Sequence, residues 1–377
     1  MNSNSSQRFL ALDVLRGMTV CFMIIVNTPG NWSTTWAPLL HASWHGFTPT
    51  DLVFPTFMFV VGNALSFVTK KWERMSDAEV LKKIFKRTII IFLLGYLMYW
   101  FPFVHWNAQH ELEANPFATT RVMGVLQRIA LGYFIAALMV RYLKLNSILV
   151  ISTLMLVAYW LILLFCGGSA DPYDMLTNAG SRFDLWLLGD GHLYHGEGVA
   201  FDPEGVLSTL PSVANVTFGY AAGLWIQKKG STYEGLAKLL LAGAALIALA
   251  LVWNHFFPIN KKLWTGSFVL LTVGIDCVLI AALLYLIDFL QVRKGTYFFE
   301  VFGKNPLFIY LLSELGAILL WFIPVGEKHQ PLYSWLYEHV FSLAGAYLGS
   351  FFFALSVMMV CWLVGYVLDK RKVYVRV

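Results

Sequence analysis

The chain has 377 residues, of which 58% are hydrophobic and only 13% charged, with a mean hydropathy of +0.64. A soluble domain carries about 25% charged residues, so the composition excludes an ordinary soluble enzyme and indicates a membrane protein. The net charge of +5 does not mark a nucleic-acid binder, because the basic residues follow membrane topology rather than forming one patch. The expected surroundings are membrane lipid, with no nucleic acid.

Apolar runs of about 20 residues each cross a bilayer as a helix. Ten are read along the chain: Leu10–Val26, Leu52–Thr69, Thr88–Val104, Val122–Val140, Ser147–Phe165, Leu207–Ile226, Leu236–Phe256, Leu263–Ile287, Pro306–Ile323 and Ala346–Leu368. The predicted fold is all-α, a polytopic membrane helical bundle forming a single domain over residues 1–377. Gly303, Asn305 and Pro306 interrupt the stretch from Phe299 to Ser313, where a broken or half-buried helix is expected. The start, MNSNSSQRF, leads into a run containing Asp13 and Arg16 without a small-residue cleavage site, so no cleavable signal peptide is expected.

Lys and Arg set the orientation. With both termini on one face, that face holds 20 of them, from Arg8 to Arg376, against Arg121, Arg182, Lys261, Lys262 and Lys328 opposite. The positive-inside rule then places both termini in the cytoplasm.

The outer connections carry the polar chemistry. Residues 27–50 contain no Lys or Arg but bring Asn27, His41 and His45 close to Asp51. A connection that long in a compact bundle is more often functional than idle, and it is read as a catalytic outer loop. A second connection, 105–120, carries His105, His110, Glu111 and Glu113. The third, 167–205, holds Asp171, Asp174, Asp184, Asp190, Glu197, Asp202 and Glu204 against the single base Arg182, and suits a lid or rim.

His41 is the first candidate for chemistry, because histidine titrates near neutrality and accepts a proton from an attacking amine or hydroxyl. A loop histidine is otherwise a polar surface residue; the charge-poor, Trp-rich setting sets this one apart. Asp51 either orients that imidazole or caps the next helix. Asn27 either ends the first span or donates its amide to a developing oxyanion. Within the spans, Asp13 and Arg16 lie on one helix face and either form a structural pair or place Arg16 against an anionic ligand at the cytoplasmic mouth. Gln127 and Arg128 are a second polar insertion, made for ligand contact or for a salt bridge to Asp13 or another buried acid. Asp202-Pro203-Glu204-Gly205 reads as a helix start, and Asn260 to Trp264 as an interfacial anchor. Asn305 and Glu314 add polar groups around the ninth span. Cys21, Cys166, Cys277 and Cys361 lack metal or disulfide spacing. His192 and His195 lack a matching ligand set, so no metal is expected.

Several stretches in this order, LDVLRGMTVCFMIIVN, LLHASWHGFTPTDLVFPTFMFVVG, MGVLQRIALGYF, LLGDGHLYHGEGVAFDPEG and INKKLW, resemble the membrane core of heparan-alpha-glucosaminide N-acetyltransferase and its bacterial relatives. The resemblance runs from about Arg8 to the C-terminus. It implies transmembrane acetylation, in which acetyl-CoA binds from the cytoplasm and its acetyl group passes to the amine of a terminal glucosamine outside. It places the active-site asparagine and histidine on Asn27 and His41, with Asp51 as their companion. Arg16, Gln127, Arg128 and Asn305 are then expected at acetyl-CoA, and Trp44, Asp190, His192, Asp202, Glu204 and Lys262 at the acceptor.

His41 is expected to act as a base in a ternary complex rather than to carry acetyl itself. The acidic 167–205 loop suits a cationic amino sugar, a short oligosaccharide or a desulfated end better than a polyanionic chain. NWSTTWAPLL stands where the family has a Gly-rich connection. Lysosomal members carry an extra N-terminal luminal domain and span that this sequence is not expected to have. The implied location is the bacterial inner membrane, with the site open to the periplasm. Relatives suggest a homodimer, for which the sequence carries no dimer motif. Two other readings remain: an acetyltransferase for another envelope glycan, and a sugar transporter using Arg16 and Arg128.

Overall fold

The computed structural model describes residues 9–168, 170–230 and 232–375, so Arg8 and Arg376 of the charge bias lie outside the described residues. Among these residues the helices are α1 (Leu10–Asn27), α2 (Val53–Trp72), α3 (Asp77–Trp100), α4 (Val125–Tyr142), α5 (Leu145–Cys166), α6 (Ala179–Leu188), α7 (Thr209–Lys229), α8 (Tyr233–Trp253), α9 (Gly266–Leu284), α10 (Thr296–Lys304), α11 (Pro306–Phe322), α12 (Leu332–Leu336) and α13 (Ala346–Lys370). Each apolar run read from the sequence falls on one of the longer helices. Seven helices are long and apolar enough to cross a membrane, and the bent pair α10–α11 would make an eighth. The long helices outside that set are α3, whose first turns are charged, and α7, which carries Ser212, Asn215 and Thr217 along its length.

One boundary differs from expectation, for a clear reason. Helix α3 begins at Asp77 rather than Thr88, because Ser76 and Glu79 form a capping box: the Glu79 carboxylate accepts the Ser76 amide at 2.9 Å. The charged turns are therefore helical, and they carry Arg87 into the bundle. The expected break falls at Asn305, where α10 and α11 meet at 83°. Asn305 then straps the C-terminal segment across that corner, donating to the Val373 carbonyl at 3.1 Å and accepting from the Val375 amide at 2.8 Å. Two short antiparallel ribbons, Val104–Trp106 with Leu112–Ala114 and Pro324–Val325 with Gln330–Pro331, decorate the otherwise helical fold.

Helix α7 packs on α2, α4, α5 and α9. Between helices in lipid, close van der Waals contact replaces the hydrophobic effect, and small residues permit it. A Cβ on Gly62 of α2 would lie 1.9 Å from the Val216 carbonyl oxygen, and one on Gly219 of α7 would lie 2.1 Å from that of Phe59. Helix α1 lies along α2, α9, α10 and α13. The connection after α1 is ordered by short 3-10 turns and pinned to the last helices. Gly30 donates to the Ser350 carbonyl at 3.1 Å, and the Tyr333 hydroxyl to the Pro29 carbonyl at 2.8 Å. The described residues of the 167–205 connection, the third connection read from the sequence, contain α6.

Candidate active site

At the C-terminal end of α1 a cavity of about 170 Å3 is lined by Asn27, His41, Thr50, Phe57, Glu204, Lys261 and Tyr310, among others. At the N-terminal end of α1 lies a second cavity, of about 570 Å3, whose lining includes Asp13, Arg16, Arg87, Lys304, Tyr374 and Val375. The two share Phe57, Leu126, Ile129 and Leu307, which form an apolar waist between them. Helices α1, α2, α4 and α11 line both cavities, the inner chamber at Arg16 and the outer chamber at His41. At 1.5 Å per residue, Asp13 and Asn27 are about 21 Å apart along α1.

His41 and Asp51 meet in the outer chamber. His41 Nδ1 lies 2.7 Å from Asp51 Oδ1, and Asp51 is 1% exposed. The other carboxylate oxygen accepts the Thr48 amide at 2.9 Å and the Ala42 amide at 3.2 Å. The capping and orienting roles of Asp51 therefore coexist, one on each oxygen. A carboxylate only accepts, so the shared proton sits on His41 Nδ1 and the lone pair on Nε2. Burial lowers the His41 pKa below its ordinary 6.5, Lys261 lowers it further, and Asp51 opposes both. The ring is accordingly neutral at pH 7, with Nε2 as a base.

Lys261 Nζ approaches that base at 2.9 Å from Nε2. It comes from the α8–α9 connection, 220 residues away in sequence. Asn27 donates one amide hydrogen to Glu314 Oε1 at 3.0 Å, and its other hydrogen is available to the outer chamber that it lines.

The acids of the third connection are mostly committed to partners inside the protein. Arg121 holds Asp202 through two bonds of 2.9 and 2.6 Å and Glu204 through one of 2.7 Å. Its guanidinium lies over the rings of Tyr99 and Tyr194 at 4.9 and 4.6 Å. Burial raises the Asp202 carboxyl despite Arg121. For Glu204 burial acts in the same sense, but Arg121, Arg128 and Lys261 outweigh it and hold the carboxyl below the usual range. Glu197 pairs with Lys262 at 2.7 Å, and Lys262 also donates to the Ser43 carbonyl at 2.9 Å. Asp184 accepts the Val206 amide at 2.9 Å ahead of α7, and burial pushes its pKa up to about 6. Of this acidic set, Glu204 is the one that lines the outer chamber.

The other sequence-predicted residues separate into distinct places. Arg16 lines the inner chamber, donates to the Gly303 carbonyl at 3.2 Å and pairs with Asp13 at 3.5 Å. Asn305 supports that chamber indirectly, through the C-terminal strap. Arg128 is fully buried near the outer end of α4, directed at the Gly205 carbonyl and the Ser208 hydroxyl and stacked on Trp264 at 4.8 Å. Gln127 is buried beside Gly95, and neither end of its amide meets a hydrogen-bond partner. Neither Gln127 nor Arg128 lines a chamber. Trp44 donates to the Tyr173 carbonyl at 3.1 Å and packs edge-on against Phe201, bracing the 27–50 connection on the third. His192 donates to the Thr120 carbonyl at 2.8 Å, while Asp190 is exposed beside His195 at 3.4 Å. Sequence reasoning did not assign Lys261, Arg87, Lys304 or Tyr310 to the site. The capping box before Arg87 was the available signal for one of them.

Among the described residues no group of His, Cys, Asp and Glu could hold a metal ion. The inner chamber is lined by Arg16, Arg87 and Lys304, of which Arg16 pairs with Asp13 and Lys304 with Asp369 at 2.9 Å, and such cations are the kind of donors that hold phosphate groups. A family model described as heparan-alpha-glucosaminide N-acetyltransferase, catalytic, matches residues 8–233. Heparan-alpha-glucosaminide N-acetyltransferase of Mus musculus is 29% identical over 83% of this chain and 54% of its own length. The protein of that name from Homo sapiens is 28% identical over 82% of this chain and 53% of its own. The chain thus spans about half the length of the curated relatives it matches. With the family model covering more than half of it, the chain belongs to the heparan-alpha-glucosaminide N-acetyltransferase catalytic family.

Proposed function

We propose that the protein is a multi-pass N-acetyltransferase of the bacterial inner membrane, crossing it ten times with both termini in the cytoplasm. It moves acetyl from cytoplasmic acetyl-CoA to the amine of a terminal glucosamine or related amino sugar on the periplasmic side. The observation that carries this reading is the pair of chambers meeting at one waist, cations at one end and a His41–Asp51 pair at the other. A thioester on a long, narrow arm is the kind of donor such a passage suits.

Each residue then has a task. Arg16, Arg87 and Lys304 bind the phosphates of acetyl-CoA at the inner chamber. Phe57, Leu126, Ile129 and Leu307 exclude water around the arm. Asn27 donates its second amide hydrogen to the oxyanion that forms as the amine attacks, and such a donor is worth about 10²–10³ in rate. His41 Nε2 takes the proton that frees the sugar amine for attack and later releases it to solvent, the Asp51 carboxylate stabilises the intervening imidazolium, and the second amine proton leaves with the CoA thiolate as the C–S bond breaks. Glu204 offers a negative charge to the incoming sugar ammonium. Glu204 is also held by Arg121, but it is the acid of the third connection that lines the outer chamber, so attraction of the acceptor centres on it.

The test is acetyl transfer from acetyl-CoA to glucosamine by the purified protein, with acetyl-CoA binding measured in parallel. His41→Ala should abolish transfer and spare binding. No transfer to any amino sugar by the native chain would reject the proposal, and no binding of acetyl-CoA would reject it in favour of a transporter.

A further inference from the structure

Lys261 occupies a position that the proposed reaction reserves for its acceptor. Its Nζ stands 2.9 Å from His41 Nε2 and 3.2 Å from Nδ1, against the ring beside the base, and a turn of the imidazole or of the lysine brings its N–H onto the Nε2 lone pair. The turn that carries it is stiff. Trp264 closes it at φ 56°, donating its amide to the Lys261 carbonyl at 3.0 Å, and Asn260 Oδ1 accepts the Leu263 amide at 2.8 Å. The neighbouring Lys262 is turned away, its Nζ held by Glu197 and the Ser43 carbonyl. Lys261 also lines the outer chamber together with Asn27, the donor assigned to the oxyanion.

We propose that Lys261 is itself an acetyl acceptor, modified by the site's own chemistry whenever acetyl-CoA is bound and no sugar fills the outer chamber. This rests on the acetyltransferase reading above. Lys261 Nζ attacks the thioester carbonyl, an N–C bond forms and the C–S bond breaks. His41 Nε2 takes the amine proton and returns it to the departing CoA thiolate. The neutral amine this requires is favoured by burial, with Lys262 and Arg128 acting in the same sense against Glu204 and Asp51. The product leaves a bulky amide where the sugar amine has to stand, so a modified molecule transfers acetyl more slowly. Sugar and Lys261 compete for the same base, and a saturating acceptor protects the lysine.

The experiment incubates the full-length protein in detergent with acetyl-CoA alone, or with acetyl-CoA and excess glucosamine, and maps acetyl groups by peptide mass spectrometry. Acetyl is expected on Lys261 and not on Lys262, stable to neutral hydroxylamine as an amide is, and suppressed by glucosamine. His41→Ala should slow its appearance by about 100-fold, the contribution of a general base. Three results would overturn the inference while leaving the enzyme reading intact, given glucosamine acetylation in the same preparation. They are an unmodified Lys261, equal labelling of Lys261 and Lys262, and hydroxylamine-labile label on His41. If neither sugar nor protein is acetylated, the enzyme reading falls and this inference with it.

Discussion

Replacing Asp51 by asparagine separates the orienting role of the carboxylate from its size. The Ala42 and Thr48 amides point at Oδ2 from 3.2 and 2.9 Å, so the side chain in Asp51→Asn must keep its oxygen there. Its NH2 group then faces His41 Nδ1, which has to accept instead of donate. The ring proton moves to Nε2, and the base loses its lone pair. General-base catalysis is worth about 10²–10⁴ in rate. The imidazolium also loses a hydrogen bond to a charged group, worth about 1.5–3 kcal/mol, or one to two further decades at about 1.4 kcal/mol each. Because the two losses concern one proton they overlap, and the expected fall in kcat is on the order of 10³-fold. Acetyl transfer from radiolabelled acetyl-CoA to glucosamine measures it, with acetyl-CoA affinity by calorimetry as the control. Affinity should stay near the native value, since Asp51 lines neither chamber. A fall in kcat smaller than about tenfold, or 1.4 kcal/mol, in a variant that binds acetyl-CoA normally would refute the tautomer argument.

Other outcomes follow from the same geometry. Because the His41 pKa is lowered, protonation removes the base only below the ordinary histidine range, and kcat should hold from neutrality down to about pH 6.5 before it falls. Lys261→Met removes one cause of that lowering, so the acid limb of the pH profile should move to higher pH, and a shift to lower pH would contradict the assignment. Arg121→Met leaves Asp202 and Glu204 buried without their cation, which should cost about 3–5 kcal/mol and appear as a large drop in Tm in detergent. An unchanged Tm would count against that network as a support of the outer chamber. Arg87→Gln should weaken acetyl-CoA binding by about tenfold, or 1.4 kcal/mol, with kcat at saturation little altered, as calorimetry and steady-state kinetics would read.

Hydropathy made the helices legible, and the gap between two of them exposed the loop holding His41. The Asp51 partnership was also within reach, since both residues lie in one short segment and the turn chemistry of Thr48 to Asp51 folds them together. Lys261 was not, because its contact with His41 joins residues 220 positions apart and nothing local distinguishes it from an interfacial lysine. The acidic third connection shows a different limit. Composition counts charges, but whether they face a ligand or one another depends on Arg121, Lys262 and the backbone amides that the fold brings to them. Arg128 carries a topological lesson. Arg121 already marks the outer end of the fourth span, so a residue two turns further in stays in the outer half, and the structure finds it against Gly205 and Ser208. Arg87 lies in a charged stretch that hydropathy leaves outside the third span, although Ser76 and Glu79 mark the start of a helix before it.

Sided transfer in sealed proteoliposomes tests the central claim most directly. With uniformly oriented protein, labelled acetyl-CoA is supplied at the face of Arg16 and Lys304 and glucosamine at the face of His41. Acetylated glucosamine should accumulate in the His41 compartment and should not form when donor and acceptor exchange sides. Product made only when both substrates share one compartment would contradict a passage that carries acetyl across the membrane.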